Sequence, residues 1–237
     1  MAEYVDVHSH ILPAVDDGSK NVEESLELLS MLKKQGVTTV IATPHFLGAR
    51  DNIDDFKARI NNAKEELFTA KEGKDLPTVL IGSEILYFYG MGMLEGIKDL
   101  TLNGSKYMLL EFDYIDFNDN VIKDIRRIRE RHGIIPIIAH IERYKKFKNY
   151  KKLLKLVERG VCKAQINASS IIDNVFTKNA HKLIAKGYID FIGSDTHSVE
   201  FRPPLIDKAY EVIKEKYGEE TAEKIRQNGI ELIEDIK

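Results

Sequence analysis

Two histidines one residue apart, His8 and His10, stand near the start of the sequence. In an extended segment side chains alternate with period two, so both imidazoles face one way and can grip one cation. An isolated His-x-His is a weak signal, because two hydrogen-bonded core histidines would read the same. Further candidates follow: His45, Glu84, Glu111, His140, Asp195 and His197. Each has an ordinary alternative when taken singly. Glu84 or Glu111 could cap a following helix or pair with a nearby base, and Asp195 could cap the helix beyond it. As a set, imidazole and carboxylate without thiolate suit Mn, Fe, Zn or a related divalent ion. The set is too large for one ion, so a multinuclear site is expected.

Such a set needs a scaffold that gathers distant residues. Short apolar runs rich in Val and Ile fall at 4–7, 38–42, 78–82, 107–110, 134–139, 163–167 and 190–193. Their near-continuous apolarity is that of strands covered on both faces. Between them lie helical patterns. In the first, Val22, Leu26, Leu29 and Leu32 form an apolar stripe, Asn21 caps it with Glu24 three residues on, and Gly36 closes it. Further helices are expected at 53–72, 119–132, 149–159, 176–186, 205–217 and 219–236, the last interrupted near Asn228-Gly229. Strand followed by helix, about seven times over, predicts parallel β/α units. An open doubly wound sheet is the competing architecture, but its Gly-rich first turn is absent, and His8-Ser9-His10 stands there instead. A closed or distorted α/β barrel is therefore expected.

The candidates sort by strand end. His8 and His10 close the first strand, His45 the second, Glu84 the third, Glu111 the fourth, His140 the fifth, and Asp195 and His197 the seventh. All C-terminal strand ends of a β/α barrel open on one face, where active sites are built. Five of the 7 histidines obey this rule. His132 and His181 fall inside helical patterns and read as structural or solvent-facing.

Composition narrows the setting. Hydrophobic residues at 43% can fill a core and charged residues at 31% can cover a surface, with no apolar run near the roughly 20 residues of a membrane helix. The net charge of −3 gives no general attraction to nucleic acid or anionic membranes. Met1 to Tyr4 lead directly into a strand-like segment without a basic region before an apolar one, so no signal peptide and a cytoplasmic location are expected. The one cysteine, Cys162, allows no internal disulfide.

The run from His8 to Gly18, with its His8-Ser9-His10 and Asp16-Asp17-Gly18, resembles the opening motif of the polymerase and histidinol phosphatase (PHP) superfamily. More narrowly, it is similar to the bacterial manganese-dependent tyrosine-protein phosphatases of capsule and exopolysaccharide clusters (the CpsB/YwqE type). The likeness continues through Thr43-Pro44-His45, Gly82-Ser83-Glu84, Leu110-Glu111-Phe112 and His140-Ile141-Glu142-Arg143-Tyr144. It ends with Ser194-Asp195-Thr196-His197 and Phe201-Arg202-Pro203-Pro204, covering essentially the full chain in order. A departure lies at Asn228-Gly229, where relatives often carry Asn-Pro before the last helix.

The resemblance implies a distorted TIM-like (β/α)7 barrel, one domain over 1–237 with a helical end at about 205–237. It implies three divalent ions, manganese first and Fe or Zn as alternatives. His8, His10, Glu84 and Asp195 would hold one ion; Glu84 would bridge to a second held with Glu111 and His140; Asp17, His45 and His197 would hold the third. Asp17 rather than Asp16 fits the family pattern.

Four carboxylates contribute about −4 against about +6 from the ions, so an occupied site stays cationic and attracts a phosphate monoester. A metal-bound hydroxide would be the nucleophile. Arg143 and Arg202, close after His140 and His197, are candidates to clamp the phosphoryl oxygens, unless they merely pair with a surface acid or decorate a turn. Tyr87 and Tyr89 could stack on a phenyl ring, or their segment could simply pack over the barrel rim. Cysteine-based phosphatase chemistry needs an arginine six positions after the nucleophile, and Cys162 has Ala168 there. The expected partner is a phosphotyrosine protein, the tyrosine-rich tail of a bacterial tyrosine kinase. A phosphatase of the histidinol phosphate type, a PHP-type nuclease and a non-catalytic metal-stabilised module are the competing readings.

Overall fold

The structure, a computed structural model, describes residues 3–113 and 115–236. Met1 and Ala2, with the reading of the chain's start, and the outer limits of the 1–237 domain lie outside the described residues. In order come β1 (Tyr4–Ser9), α1 (Val22–Lys34), β2 (Val37–Ala42), β3 (His45–Phe46), α2 (Ile53–Lys71), β4 (Thr78–Ile81) and β5 (Glu84–Leu86). Then follow β6 (Tyr107–Glu111), α3 (Asp119–His132), β7 (Ile135–Ile138), α4 (Tyr150–Glu158), β8 (Lys163–Asn167) and α5 (Ala168–Ile172). The chain ends in α6 (Thr177–Ala185), β9 (Phe191–Gly193), α7 (Ile206–Tyr217) and α8 (Glu219–Ile236). Among the described residues no helix is long and apolar enough to cross a membrane.

All the ladders are parallel, in the orders β1-β2-β4 and β3-β5-β6-β7-β8-β9. The strands expected at 38–42 and 78–82 are β2 and β4, and each is followed by a further short strand. β3 continues β2 after Thr43-Pro44, and β5 continues β4 after Gly82-Ser83. Pro44 has no N–H to give a ladder, and Gly82 lets Leu102 approach, since a Cβ there would lie 2.5 Å from the Leu102 side chain. The broken strands bend across the sheet, so that β5 pairs with β6 while β4 pairs with β2. The ring is completed where Asp195 N–H donates to the His8 carbonyl (2.8 Å) and His10 N–H to that of Thr196 (2.9 Å). The result is the expected distorted (β/α)7 barrel.

Helix ends follow local chemistry. Asn21, Asn52 and Asn118 accept hydrogen bonds from the first-turn N–H groups of α1, α2 and α3. Gly133 ends α3 in the left-handed conformation. α5 shows no helical pattern in the sequence, because five residues are too few to show a period. One expectation needs correction. α8 runs without interruption through Asn228-Gly229 rather than breaking or beginning there. Gly229 serves packing instead: a Cβ there would lie 3.3 Å from Val5 Cβ, so the helix lies close against β1.

The core has two parts. Val5, Val7, Ile41, Leu109, Ile137, Ala139 and Phe191 fill the barrel, and Leu232, Ile233 and Ile236 of α8 join them. Their neighbours Val40, Met108, Leu110 and Ile138 turn outward to the helices. Alternation along buried strands thus feeds both layers. α8 closes the N-terminal end of the barrel, leaving the C-terminal end for the polar residues. Ile233→Ala, which opens a cavity inside this closure, is expected to cost about 2–4 kcal/mol by urea denaturation. A change below about 0.5 kcal/mol would contradict the plugging role.

Candidate metal centre

β1 carries a phase change that decides the site. Asp6 pairs with Val40 and Ser9 with Ala42, so the first strand has one residue more than its partner over that stretch. This bulge shifts the alternation. Val5 and Val7 point into the barrel core, and then His8 and His10 take over that side. Buried Asp6 accepts bonds from Ser194 N–H (2.8 Å), Ser194 Oγ (2.6 Å) and His8 N–H (3.3 Å), tying β1 to the end of β9. Burial pushes its carboxyl pKa up to about 6 against these bonds. Asp6 is a brace between strands.

Around Glu84, which is buried, the histidines converge. Glu84 Oε2 lies 3.2 Å from His8 Nε2, 3.3 Å from His10 Nε2 and 3.1 Å from His45 Nδ1. Glu84 Oε1 lies 2.9 Å from His140 Nε2, and Glu111 Oε1 is 3.2 Å from that nitrogen. Asp195 Oδ1 stands 3.6 Å from the Nε2 atoms of both His8 and His10. Asp17 Oδ1 lies 3.5 Å from His45 Nε2 and 3.4 Å from His197 Nε2. All nine expected ligands therefore reach one face of the barrel. Three groups of donor atoms lie within 4.8 Å of one another: His10, Asp17, His45 and His197; His8, His10 and Glu84; His45, Glu84 and Glu111.

The donor set fits divalent cations. His197 Nδ1 is 3.0 Å from the Asp195 carbonyl, which only accepts, so Nδ1 carries the proton and Nε2 presents a lone pair. That buried Nε2 has no hydrogen-bond partner, nor has buried His45 Nδ1, which meets Glu84 off the direction of a hydrogen bond. Burial first, then the nearby His10, holds the His197 pKa down to about 4, so the ring stays neutral as a ligand must. Elsewhere protons stand where cations would. Burial alone would lower His10, but hydrogen bonds to Asp16 and Glu84 outweigh it and raise its pKa to about 10. For His140, burial and Arg143 are likewise outweighed by Glu111 and Glu84, and its pKa rises to about 9.

Asp16 and Asp17 divide their labour. Asp16 accepts from His10 Nδ1 (2.7 Å), His45 N–H (2.9 Å) and Gly18 N–H (2.9 Å), while Asp17 reaches the two histidines from a largely exposed position. Gly18 makes the turn possible, since a Cβ there would fall 2.3 Å from the His10 carbonyl oxygen.

Two supporting residues escaped the motif reading. β8 carries no ligand, but Gln165 Oε1 accepts from His140 N–H (2.7 Å) and lies 3.2 Å from His8 Nδ1. Gln165 Nε2 donates to Asn167 Oδ1 (2.9 Å), and Asn167 Nδ2 donates to Asp195 Oδ2 (2.6 Å). Gln165 and Asn167 orient three of the expected ligands, His8, His140 and Asp195, without joining them. Their sequence signal is the alternation Lys163-Ala164-Gln165-Ile166-Asn167, which puts Gln165 and Asn167 on the face opposite Ala164 and Ile166.

Arg143 and Arg202 meet on one carboxylate. Arg143 donates to Asp195 Oδ2 at 2.7 Å, and an Arg202 guanidinium nitrogen lies 2.6 Å from the same oxygen. Arg143 is half-buried and Arg202 exposed, both at the edge of the cluster. The Arg202 carbonyl accepts from Thr196 Oγ1 (2.7 Å) and His197 N–H (3.2 Å), which folds the 198–202 turn back over the site. His140 and Asp195 both have positive φ, 30° and 52°. Such backbone is costly for non-glycine residues and persists because the surrounding bonds over-determine it.

The remaining candidates behave differently. Tyr87 donates its hydroxyl to Asp124 (2.8 Å) and packs against Phe112, while Tyr89 is 75% exposed. The 3₁₀ turn Met91–Met93 beyond them packs on α3. His132 lies 3.0 Å from the Gly92 carbonyl and His181 lies 2.6 Å from the Tyr217 hydroxyl, both structural contacts. Cys162 is buried and burial pushes its thiol well above the ordinary range, so it is no nucleophile.

Gln165→Ala is expected to weaken metal affinity by about 10–100-fold in chelator competition; unchanged affinity would remove its orienting role. The raised His10 and His140 pKa values stabilise the ion-free fold fully below about pH 6.5. That contribution is lost as pH rises through about 9 to 10. Cations displace those protons, so the Tm gained on loading should widen from pH 6.5 to 9.5. A gap that narrows over that range would contradict the proton-for-cation exchange.

The comparisons with known proteins agree in extent and kind. The sequence profile for capsular polysaccharide synthesis, CpsB/CapC, matches residues 4–234. Tyrosine-protein phosphatase CpsB of Streptococcus agalactiae serotype III (strain NEM316) is 32% identical over 240 residues, covering 93% of this chain and 94% of that protein. The putative tyrosine-protein phosphatase CapC of Staphylococcus aureus is 34% identical over 237 residues, covering 95% and 89%. A solved structure from the work on YwqE of Bacillus subtilis and CpsB of Streptococcus pneumoniae, described as unique metal-dependent tyrosine phosphatases, superposes with a TM-score of 0.85. It has 30% identity and covers 98% of this chain and 95% of its own. Histidinol phosphate phosphatase of Lactococcus lactis, at TM-score 0.56 and 12% identity, covering 91% of this chain and 94% of its own, shares the fold alone. The ordered motifs and the full-length match lead to one conclusion: the chain belongs to the CpsB/CapC family of capsular polysaccharide synthesis.

Proposed function

We propose that this chain is a metal-dependent protein-tyrosine phosphatase acting in capsular polysaccharide synthesis. The observation that carries this reading is the histidine–carboxylate cluster around Glu84 with two arginines at its edge. Its relatives are tyrosine-protein phosphatases over nearly their whole length. The proposed working unit is one PHP-type domain over 1–237, with the helical end at 205–237. Three divalent ions, manganese first, would be shared as His8, His10, Glu84 and Asp195; Glu84, Glu111 and His140; and Asp17, His45 and His197. When bound, the ions would acidify water for attack on phosphorus and polarise the phosphoryl oxygens.

The chain's own residues supply orientation and charge. Gln165 and Asp16 fix the ring orientations of His8 and His10, so that Nε2 of each faces the cluster. Arg143 and Arg202 rest on Asp195 Oδ2. An incoming phosphomonoester offers them further oxygens, and their planar forks can grip these in pairs. Guanidinium on the equatorial oxygens offsets the charge that spreads there as the bond to the phenolic oxygen breaks. Tyr89, exposed beyond β5, is the aromatic group proposed to meet the substrate ring; Tyr87, its hydroxyl held by Asp124, would offer only a ring face. The substrate proposed is the tyrosine-rich tail of a bacterial tyrosine kinase, met in the cytoplasm.

Arg143→Ala and Arg202→Ala are each expected to lower kcat/KM on a phosphotyrosine peptide by about 10²–10³, or about 2.7–4 kcal/mol. Lysine should restore only part of that. Cys162→Ser should keep its activity and chelation should abolish it. Full turnover after thorough metal removal would overturn the mechanism. Faster hydrolysis of histidinol phosphate, or of a DNA 3′ end, under the same metal loading would overturn the substrate class.

A further inference from the structure

A cleft of about 720 Å³ lies on the outside of the barrel between α4 and α6. Six lysines line it: Lys145, Lys151, Lys152, Lys155, Lys182 and Lys186, against one acid, Glu158. Glu158 already accepts the Tyr188 hydroxyl, and Lys152 is paired with Asp119 at 2.8 Å. The other five lysines are exposed and, among the described residues, form no ion pair. Such unneutralised like charge around one cleft is unfavourable in the free protein and favours an anionic occupant. It contrasts with the chain's net charge of −3.

The floor of the cleft is apolar, formed by Phe147, Tyr150, Leu154, Leu183 and Tyr188. Its upper end is built onto the metal centre. The Tyr150 hydroxyl donates to the Ile141 carbonyl (3.3 Å), and Asn179 Nδ2 donates to the Glu142 carbonyl (2.8 Å). Ile141 and Glu142 are the two residues between the proposed ligand His140 and the proposed phosphate clamp Arg143. The cleft therefore leads away from the phosphate-binding edge along α4, whose nine residues span roughly 13 Å, or about four residues of extended peptide.

From this continuity and charge we infer that the α4–α6 cleft docks an acidic, partly apolar segment of the same polypeptide that presents the phosphotyrosine. A flat anionic lipid surface could meet the lysines but not the recessed apolar floor, so a peptide fits better. The inference rests on the phosphotyrosine-protein reading and adds a determinant of substrate choice.

The test compares the metal-loaded wild type with a variant carrying Lys151→Ala, Lys155→Ala, Lys182→Ala and Lys186→Ala. Three substrates are used: para-nitrophenyl phosphate, a phosphotyrosine peptide flanked by Glu and Leu, and the same peptide flanked by Ser. The wild type should show a KM for the acidic peptide about 10-fold below that for the Ser-flanked one at low salt, a difference lost near 0.5 M NaCl. The variant should lose that preference while keeping its rate on para-nitrophenyl phosphate. Binding of the fluorescent acidic peptide lacking phosphate, read by anisotropy, tests the cleft without any turnover. Absent hydrolysis of every phosphate compound would thus refute the phosphatase while leaving the cleft to its own measurement. Equal affinity for both peptides, or equal binding of the acidic peptide by wild type and variant, would overturn the docking proposal. So would lysine-dependent binding to phosphatidylglycerol vesicles with an unchanged peptide KM.

Discussion

The structure is organised around the burial of Glu84. A carboxylate taken out of water is costly unless cations or hydrogen-bond donors surround it. Here four imidazoles, from β1, from β3 and from the end of β7, close around its two oxygens. In the ion-free protein part of that compensation comes from protons on His10 and His140. Divalent cations would supply it with more charge in less space. The cluster is therefore a site whose own electrostatics demand positive charge, and its fold places that demand at the open end of a barrel.

The need to hold Glu84 and its neighbours explains several departures from a regular barrel. The bulge in β1 turns His8 and His10 to the side that Val5 and Val7 occupy further back. The breaks after β2 and β4 let His45 and Glu84 pair in register on two short strands, β3 and β5. Asp6, itself destabilised as a carboxylate by burial, ties β1 to the Ser194 turn that presents Asp195. Gln165 and Asn167 link β8 to His8 of β1 and to His140 and Asp195 just beyond β7 and β9. Irregular backbone and buried polar bonds concentrate at one end of the barrel. At the other end α8 seals an apolar interior. Stability is drawn from the sealed end, and the polar end is held in place by a hydrogen-bond network that leaves His45 Nδ1 and His197 Nε2 without partners.

Arg143 and Arg202 join the electrostatics of the cluster to its chemistry. Both lean on Asp195 Oδ2, which leaves Oδ1 toward His8 and His10. Burial alone would raise the Asp195 pKa, but the surrounding positive charge, Arg202 and Arg143 included, outweighs it and holds the carboxyl well below the ordinary range. The same two guanidiniums, one half-buried and one exposed, are donor-rich, so they can serve an anion beside the cluster without moving far. The lysine-lined cleft extends this cationic character outward from Arg143 on a chain that is slightly acidic as a whole.

Much of this was readable from the sequence, because it depends on local rules. Seven apolar runs alternating with amphipathic ones specify β/α units, and the placement of His8, His10, His45, Glu84, Glu111, His140, Asp195 and His197 at run ends specifies a common face. Asp16 and Asp17 look alike in sequence, but Asp16 is consumed in holding His10 and His45, while Asp17 stands exposed beside His45 and His197. Other features depended on contacts that no local rule describes. The β1 bulge arises from pairing with β2, and the broken strands arise from Pro44 and from Leu102 filling the space at Gly82. Gly229 reads as a helix breaker until β1 is seen packed against it. Gln165 and Asn167 acquire their role only when β8 lies between β7 and β9. Sequence determined which residues carry charge and which segments are strand or helix, since those follow from side-chain chemistry and period. Tertiary structure decided which of the charged residues face the common cluster and which brace it, because that depends on distances between residues far apart in the chain.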